Sequence, residues 1–292
     1  MSLLNDMSWV LAFRSLEVTQ FMEAVTLIGY GPFLITFMCF GYFFFPARMF
    51  NQAVLLFFVS VLVNILLKDY FQDARPDAMY RVDMRAGSSY GWPSGHAQIA
   101  ITLWGFLALQ TRQSLLRLLC VTLIILIIAS RLYLGVHDLA DVIGGTLIGL
   151  GLLWLWVERP GPLTELAKLP ARSAVILVVL VHLAYYIFYP AHADHPAPLW
   201  IMGLMSGWLI GLWLVGINHM QSGLIGRLLV ASGAGVVGFF GMIFTTRLAK
   251  TISLDGALDD LATYGLGAAL SLAITLVIPV ILRQLGLASA SA

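Results

Sequence analysis

The chain has 292 residues, of which 60% are hydrophobic and 11% charged, with a mean hydropathy of +0.91 and a net charge of +1. A soluble domain of this length needs far more charge to cover its surface, so the composition excludes that class and indicates a polytopic α-helical membrane protein. A net charge this close to zero also argues against a nucleic-acid partner.

The first residues have no basic stretch ahead of an apolar core and no small-residue cleavage site, so no removable signal peptide is expected. Residues 5–20 mix Trp9, Val10, Leu11 and Phe13 with Asp6, Arg14 and Glu17, a pattern that predicts an amphipathic helix lying in the membrane interface. Apolar runs then predict an all-α transmembrane bundle of about nine spans, at 21–45, 50–68, 95–112, 115–131, 139–157, 172–190, 197–217, 227–246 and 260–282. Cys39 and Cys120 fall inside spans and read as small apolar fillers. The segment 158–172, rich in Pro and charge, is the best candidate linker. It separates a motif-bearing region, 1–158, from a motif-poor extension, 159–292. The halves show no internal repeat.

Three polar islands interrupt the apolar sequence: Lys68–Pro76, Pro93–His96 and Ser130–Asp141. Lys68 closes the second expected span, His96 opens the third, and Ser130–Asp141 joins the fourth to the fifth. With alternating spans, all three islands emerge on one membrane face, as a composite site requires. One set of loops carries Arg48, Arg112, Arg117, Arg159, Lys168, Arg172, Arg227 and Arg283 with only Glu158 and Glu165 as acids. The positive-inside rule places that side in the cytoplasm of an inner (plasma) membrane and the islands on the extracytoplasmic face.

Each island alone has an ordinary reading. A Lys at a span end snorkels to the headgroups, Ser94 is a good helix N-cap, and a His or Asp sits easily in a hairpin loop. Together they suit an anion. The free N–H groups of a first helical turn at Ser94–His96 form an anion site, and Gly95 lets a ligand approach the backbone. His137 and Asp141 are one helical turn apart, so the carboxylate can fix one ring nitrogen and leave the other free to attack. Arg131 offers a planar fork for phosphate oxygens. A metal centre is the rival for His96, His137, Asp138 and Asp141. These residues lack dense ligand spacing, however, and Lys68, Arg75 and Arg131 would repel a cation.

The ordered set Lys68-x6-Arg75-Pro76, Pro93-Ser94-Gly95-His96 and Ser130-Arg131-x5-His137-x3-Asp141 resembles the tripartite signature of the type-2 phosphatidic acid phosphatase (lipid phosphate phosphatase) superfamily. The resemblance covers about residues 1–158. It implies that His137 is a nucleophile forming a phosphohistidine, oriented by Asp141, and that His96 is the general acid. Lys68, Arg75, Ser94, Gly95 and Arg131 would bind the phosphate, and no metal or other cofactor is implied. The substrate would be a lipid phosphate: isoprenyl (undecaprenyl) pyrophosphate, phosphatidic acid, phosphatidylglycerol phosphate or a lipid A phosphate. Arg81 and Arg85 in the connecting loop are candidates to hold a second phosphate, although a solvated-loop role suits them better.

In the extension, the Gly-rich stretches Gly203–Gly211 and Gly233–Gly241 predict close helix packing, within the chain or in a homo-oligomer. A lipid transporter or flippase with a coupled or degenerate phosphatase site is the competing functional class. The absence of repeat symmetry and of charges deep in the added spans speaks against it.

Overall fold

The structure is a computed structural model that describes residues 4–87, 89–158, 171–190, 198–216, 218–252 and 256–290. The linker residues 159–170, the loop residues His192, Asp194 and His195, and Asp255 lie outside the described residues. The chain divides into two compact units. One comprises Met1–Tyr30, Val59–Arg159 and Tyr189–His195, and the other comprises Gly31–Phe58, Pro160–Phe188 and Pro196–Ala292.

Five helices are long and apolar enough to cross a membrane among the described residues: α4 (Ala47–Phe71), α6 (Ser114–Tyr133), α7 (Leu139–Glu158), α10 (Leu224–Thr251) and the continuous run Ala257–Gln284. The helices α2 (Leu16–Leu27) and α3 (Gly31–Phe44) meet the same criterion only as a bent pair, which would make a sixth span. The expectation of nine spans therefore differs from the structure in particular places. The run 21–45 is interrupted at Ile28–Tyr30, just before Pro32, which has no N–H to donate and crowds the residue preceding it. α5 (Gly95–Gln110), α8 (Ala171–Ile187) and α9 (Leu199–Val215) are shorter, with apolar stretches at Val178–Ile187 and Leu199–Val215.

The single amphipathic helix expected over 5–20 is instead two pieces, α1 (Ser8–Ala12) and the start of α2. Ser15 takes extended backbone between them, and its Oγ accepts from Val18 N to cap α2.

In the first unit, α5 packs against α6 and α7, and α2 lies along α6. A buried polar ladder ties α4 to α5. Gln98 Nε2 donates to Ser60 O at 2.8 Å, and Asn64 Nδ2 donates to Gln98 Oε1 at 3.0 Å and to Pro93 O at 3.1 Å. Hydrocarbon offers no alternative partners, so polar groups at this depth pair with one another and lock the helices in register. The ladder thereby fixes the Pro93–Ser94 turn against α4. α6 ends at Gly135, whose φ of 66° only glycine adopts readily, and a Cβ there would collide with Tyr80 O. That turn releases Val136–Asp138 from helix, and α7 restarts at Leu139 with Asp138 Oδ1 accepting from Asp141 N at 2.9 Å.

In the second unit, α9 packs on α11 (Ala257–Leu272), and α3 packs on α10. Gly203 and Gly207 face the α11 backbone at Tyr264 O and Ala268 O, and Gly238 faces Cys39 on α3. Both Gly-rich stretches are thus used for contacts within the chain. α11 continues through a π-helical turn, Ala273–Val277, into α12 (Ile278–Gln284). Two three-residue strands, β1 (Asn218–Met220) and β2 (Ala288–Ala290), pair antiparallel.

Candidate active site

All eight residues singled out from the sequence belong to the first unit, and hydrogen bonds knit the three islands together. Lys68, in the last turn of α4, donates from Nζ to Gly91 O at 2.8 Å and to Tyr90 O. Ser94 N donates to Asp141 O at 2.9 Å, which joins the second island to the third. Arg75 joins the first to the third: Nη1 donates to Val136 O at 2.8 Å and lies 3.3 Å from His137 Nε2, while Nη2 donates to Ser89 Oγ at 2.7 Å.

His137 and Asp141 form a buried pair, with Nδ1 2.8 Å from Oδ2 and side chains 2% and 1% exposed. The carboxylate accepts the Nδ1 proton, so Nε2 is the nitrogen that carries the lone pair, and it accepts from Arg75 Nη1 at 3.3 Å. Burial, and then the charges of Lys68, Arg75 and Arg131, push the His137 pKa well below the usual imidazole range and keep the ring neutral. Burial and the Arg131 charge lower Arg75 to about 10, which leaves it cationic at neutral pH.

Ser94 occupies the N-cap position of α5, but its side chain makes no capping bond. Its Oγ is buried and without a partner, as are His96 Nε2 and Arg131 Nε. Buried polar atoms are normally paired, so these three are available to a polar ligand. Gly95 lies so close to Asn64 that a Cβ would sit 2.8 Å from its Oδ1. Gly91 is equally confined, because a Cβ there would lie 3.0 Å from both Asp141 Oδ2 and Asp73 Oδ2.

Sequence reasoning missed a second layer of residues around the site. Arg131, 1% exposed, donates from Nη1 to Thr26 Oγ1 and, at 3.2 Å, to Asp83 Oδ2. Tyr30 OH donates to the same oxygen at 2.6 Å, and the Tyr30 ring meets His96 edge-on with centroids 4.7 Å apart. Burial works to raise the Asp83 pKa, but hydrogen bonds from Tyr30 and Arg85 and the Arg131 charge outweigh it and hold it at about 2. Arg85, a candidate for a second phosphate, is bound to Asp83 Oδ1 at 2.8 Å, whereas Arg81 lines a small polar cleft beside Arg75. No sequence signal ties Asp83, Tyr30 or Thr26 to the motifs, because they meet only through the fold. Asp138, weighed as a metal ligand, is occupied as the α7 cap and as acceptor from Asn5 Nδ2 at 2.7 Å. Among the described residues, no group of three His, Cys, Asp or Glu side chains is arranged to hold a metal ion.

The arrangement is a set of cations and unpaired donors around a neutral, oriented imidazole, which is the equipment for attack on a phosphate. Residues 49–163 match the PAP2 superfamily model. The chain is 29% identical over 151 residues to phosphatidylglycerophosphatase B of Bacillus subtilis, which covers 47% of this chain and 73% of that protein. It is 26% identical over 206 residues to sphingosine-1-phosphate phosphatase 2 of Mus musculus, covering 66% of this chain and 56% of that one. Among solved structures, a transmembrane PAP2-type phosphatidylglycerolphosphate phosphatase from Bacillus subtilis aligns at 26% identity with a TM-score of 0.45, over 51% of this chain and 79% of that chain. Residues 49–163 thus carry the PAP2 superfamily match, and in its motifs and apolar helices the chain is similar to membrane phosphatases of that superfamily.

Proposed function

We propose that the protein hydrolyses a phosphate from a membrane lipid through a phosphohistidine on His137, without a metal. The observation that carries this reading is the buried His137–Asp141 pair, whose unprotonated Nε2 lies 3.3 Å from Arg75 Nη1.

The lipid phosphate enters between His137 Nε2 and the surrounding donors. Lys68, Arg75, Arg131, Ser94 Oγ and the Gly95 N–H bind its non-bridging oxygens and the charge that grows on them in the transition state. Nε2 attacks phosphorus, the bond from phosphorus to the lipid oxygen breaks, and His96, protonated against the negative charge of the bound phosphate, gives that oxygen a proton. Asp141 stabilises the ring as it becomes positive. A water then attacks the phosphohistidine and loses its proton to His96. The P–N bond breaks, releasing inorganic phosphate and restoring His137.

A site at helix ends suits a phosphate at headgroup depth. The relatives act, by their names, on phosphatidylglycerophosphate and sphingosine-1-phosphate. The candidate substrates are therefore phosphatidylglycerol phosphate, phosphatidic acid, an isoprenyl pyrophosphate, a lipid A phosphate and a sphingoid phosphate. The excess of Arg and Lys on the opposite loops supports an extracytoplasmic site in a plasma membrane. The unit containing Val59–Arg159 is the catalytic body in this reading.

The test is phosphate release by purified full-length protein from undecaprenyl pyrophosphate and phosphatidic acid side by side, with His137→Ala as control. Release from at least one lipid that vanishes in the variant supports the proposal. Equal release by both proteins contradicts it.

A further inference from the structure

Asp83 lies in the loop between the first two islands and belongs to no motif. An Asp there has an ordinary task, and this one performs it: Oδ1 accepts from Arg85 N at 3.2 Å and caps the short turn Met84–Ala86. A turn cap uses one oxygen and leaves the other in water. Here the side chain is fully buried, and Oδ2 is spent on Tyr30 OH at 2.6 Å and Arg131 Nη1 at 3.2 Å.

These two partners lead to both ends of the proposed reaction. Asp83 holds Nη1 of Arg131, whose Nε stays buried and unpartnered. Tyr30 sets its ring edge-on to His96, and the Arg131 guanidinium lies 5.5 Å from the centroid of that same ring. Thr26 completes the frame: its hydroxyl accepts from Arg131 Nη1 and its backbone is hydrogen-bonded to His96. A guanidinium 1% exposed near the end of a membrane helix needs a counter-charge to stay in place when no substrate is bound.

We infer that Asp83, braced by Tyr30, is a positioning residue that aims Arg131 at the reacting phosphate. The inference rests on the reading of Arg131 as a phosphate ligand given above. Asp83 itself does not touch the substrate. It keeps one end of the fork occupied so that the remaining donors point inward.

A double-mutant cycle tests this on the full-length protein in detergent, read as kcat and KM on a short-chain lipid phosphate and as inhibition by orthovanadate, a phosphate analogue. Asp83→Asn is expected to lower kcat/KM by about 10- to 100-fold and to weaken orthovanadate by a similar factor, the loss typical of a hydrogen bond to a charged group. Placed on Arg131→Ala, the same change is expected to add less than about 3-fold, because its route of action is already gone. Tyr30→Phe keeps every ring contact and removes one donor to Asp83, so it provides the readout should Asp83→Asn fold poorly. It is expected to cost about 3- to 10-fold in the wild-type background and almost nothing on Arg131→Ala. Losses that multiply equally in both backgrounds would mean that Asp83 and Tyr30 serve only structure, and would overturn the inference. So would full activity and full orthovanadate sensitivity in Asp83→Asn. Full activity in Arg131→Ala would overturn the underlying reading of the phosphate site, and the inference with it.

Discussion

Asp141 Oδ2 stands 2.8 Å from His137 Nδ1, across one helical turn and almost sealed from solvent. Because Asp141 is inside α7 while His137 precedes it, the geometry depends on α7 starting at Leu139, under the Asp138 cap. Asp141→Asn preserves the shape of the side chain but no longer holds the Nδ1 proton, so Nε2 spends much of its time protonated. The expected result is a kcat lower by at least about 100-fold with little change in melting temperature, read by steady-state phosphate release and by intrinsic fluorescence on heating.

The electrostatics of His137 give a pH prediction. The group must be neutral to attack, and burial and three nearby cations disfavour its protonation. Its neutral fraction therefore survives as pH falls through about 6.5, the ordinary imidazole value. The acid limb of kcat/KM, which reports the free enzyme, is expected below that value and moves upward in Arg75→Gln, which removes one of the cations. The same sign holds for stability. With a folded pKa below the unfolded one, the contribution of His137 is present above about pH 6.5 and is lost as pH falls through the folded value. An acid limb due to His137 at or above 6.5 in the wild type would contradict this.

Ser94 separates stability from function. Its Oγ makes no hydrogen bond in the resting protein. Ser94→Ala therefore removes a buried hydroxyl without breaking a bond, and the melting temperature is expected to hold or rise slightly. If Oγ is reserved for phosphate, kcat/KM falls by about 10- to 100-fold in the same variant. A stability loss with normal activity would identify Ser94 as a helix cap and nothing more.

The motifs were legible because each packs its chemistry into a few consecutive residues, and the hydrogen bonds among the three islands bring them together. The residues that brace them were not legible. Thr26, Asp83 and Arg131 are separated by 48 to 105 positions, and an Asp in a polar loop looks the same whether it is solvated or buried. The long apolar run at 21–45 hid a helix break that only Pro32 hinted at, and the single helix drawn over 5–20 overlooked Ser15 as a cap. The glycines of α9 announced close packing, but not that the partner would be α11 of the same chain.

That packing gives its own prediction. A Cβ at Gly207 would strike Ala268 O, part of the α11 backbone, which cannot swing aside as a flexible side chain would. Gly207→Val is expected to destabilise the second unit by about 1–3 kcal/mol, seen as earlier unfolding in a fluorescence melt, since inserted methyl groups force helices apart. An unchanged melt would show that α9 and α11 are not held in this register.

The most direct test of the central claim is to trap the phosphoenzyme. Purified protein is mixed with a lipid whose terminal phosphate carries a radiolabel, quenched in alkali, where phosphohistidine persists, and digested to locate the label. The account predicts label on the peptide containing His137, loss of that label in acid, and neither label nor phosphate release in a folded His137→Ala variant. Label on another residue, or normal turnover by His137→Ala, would contradict it.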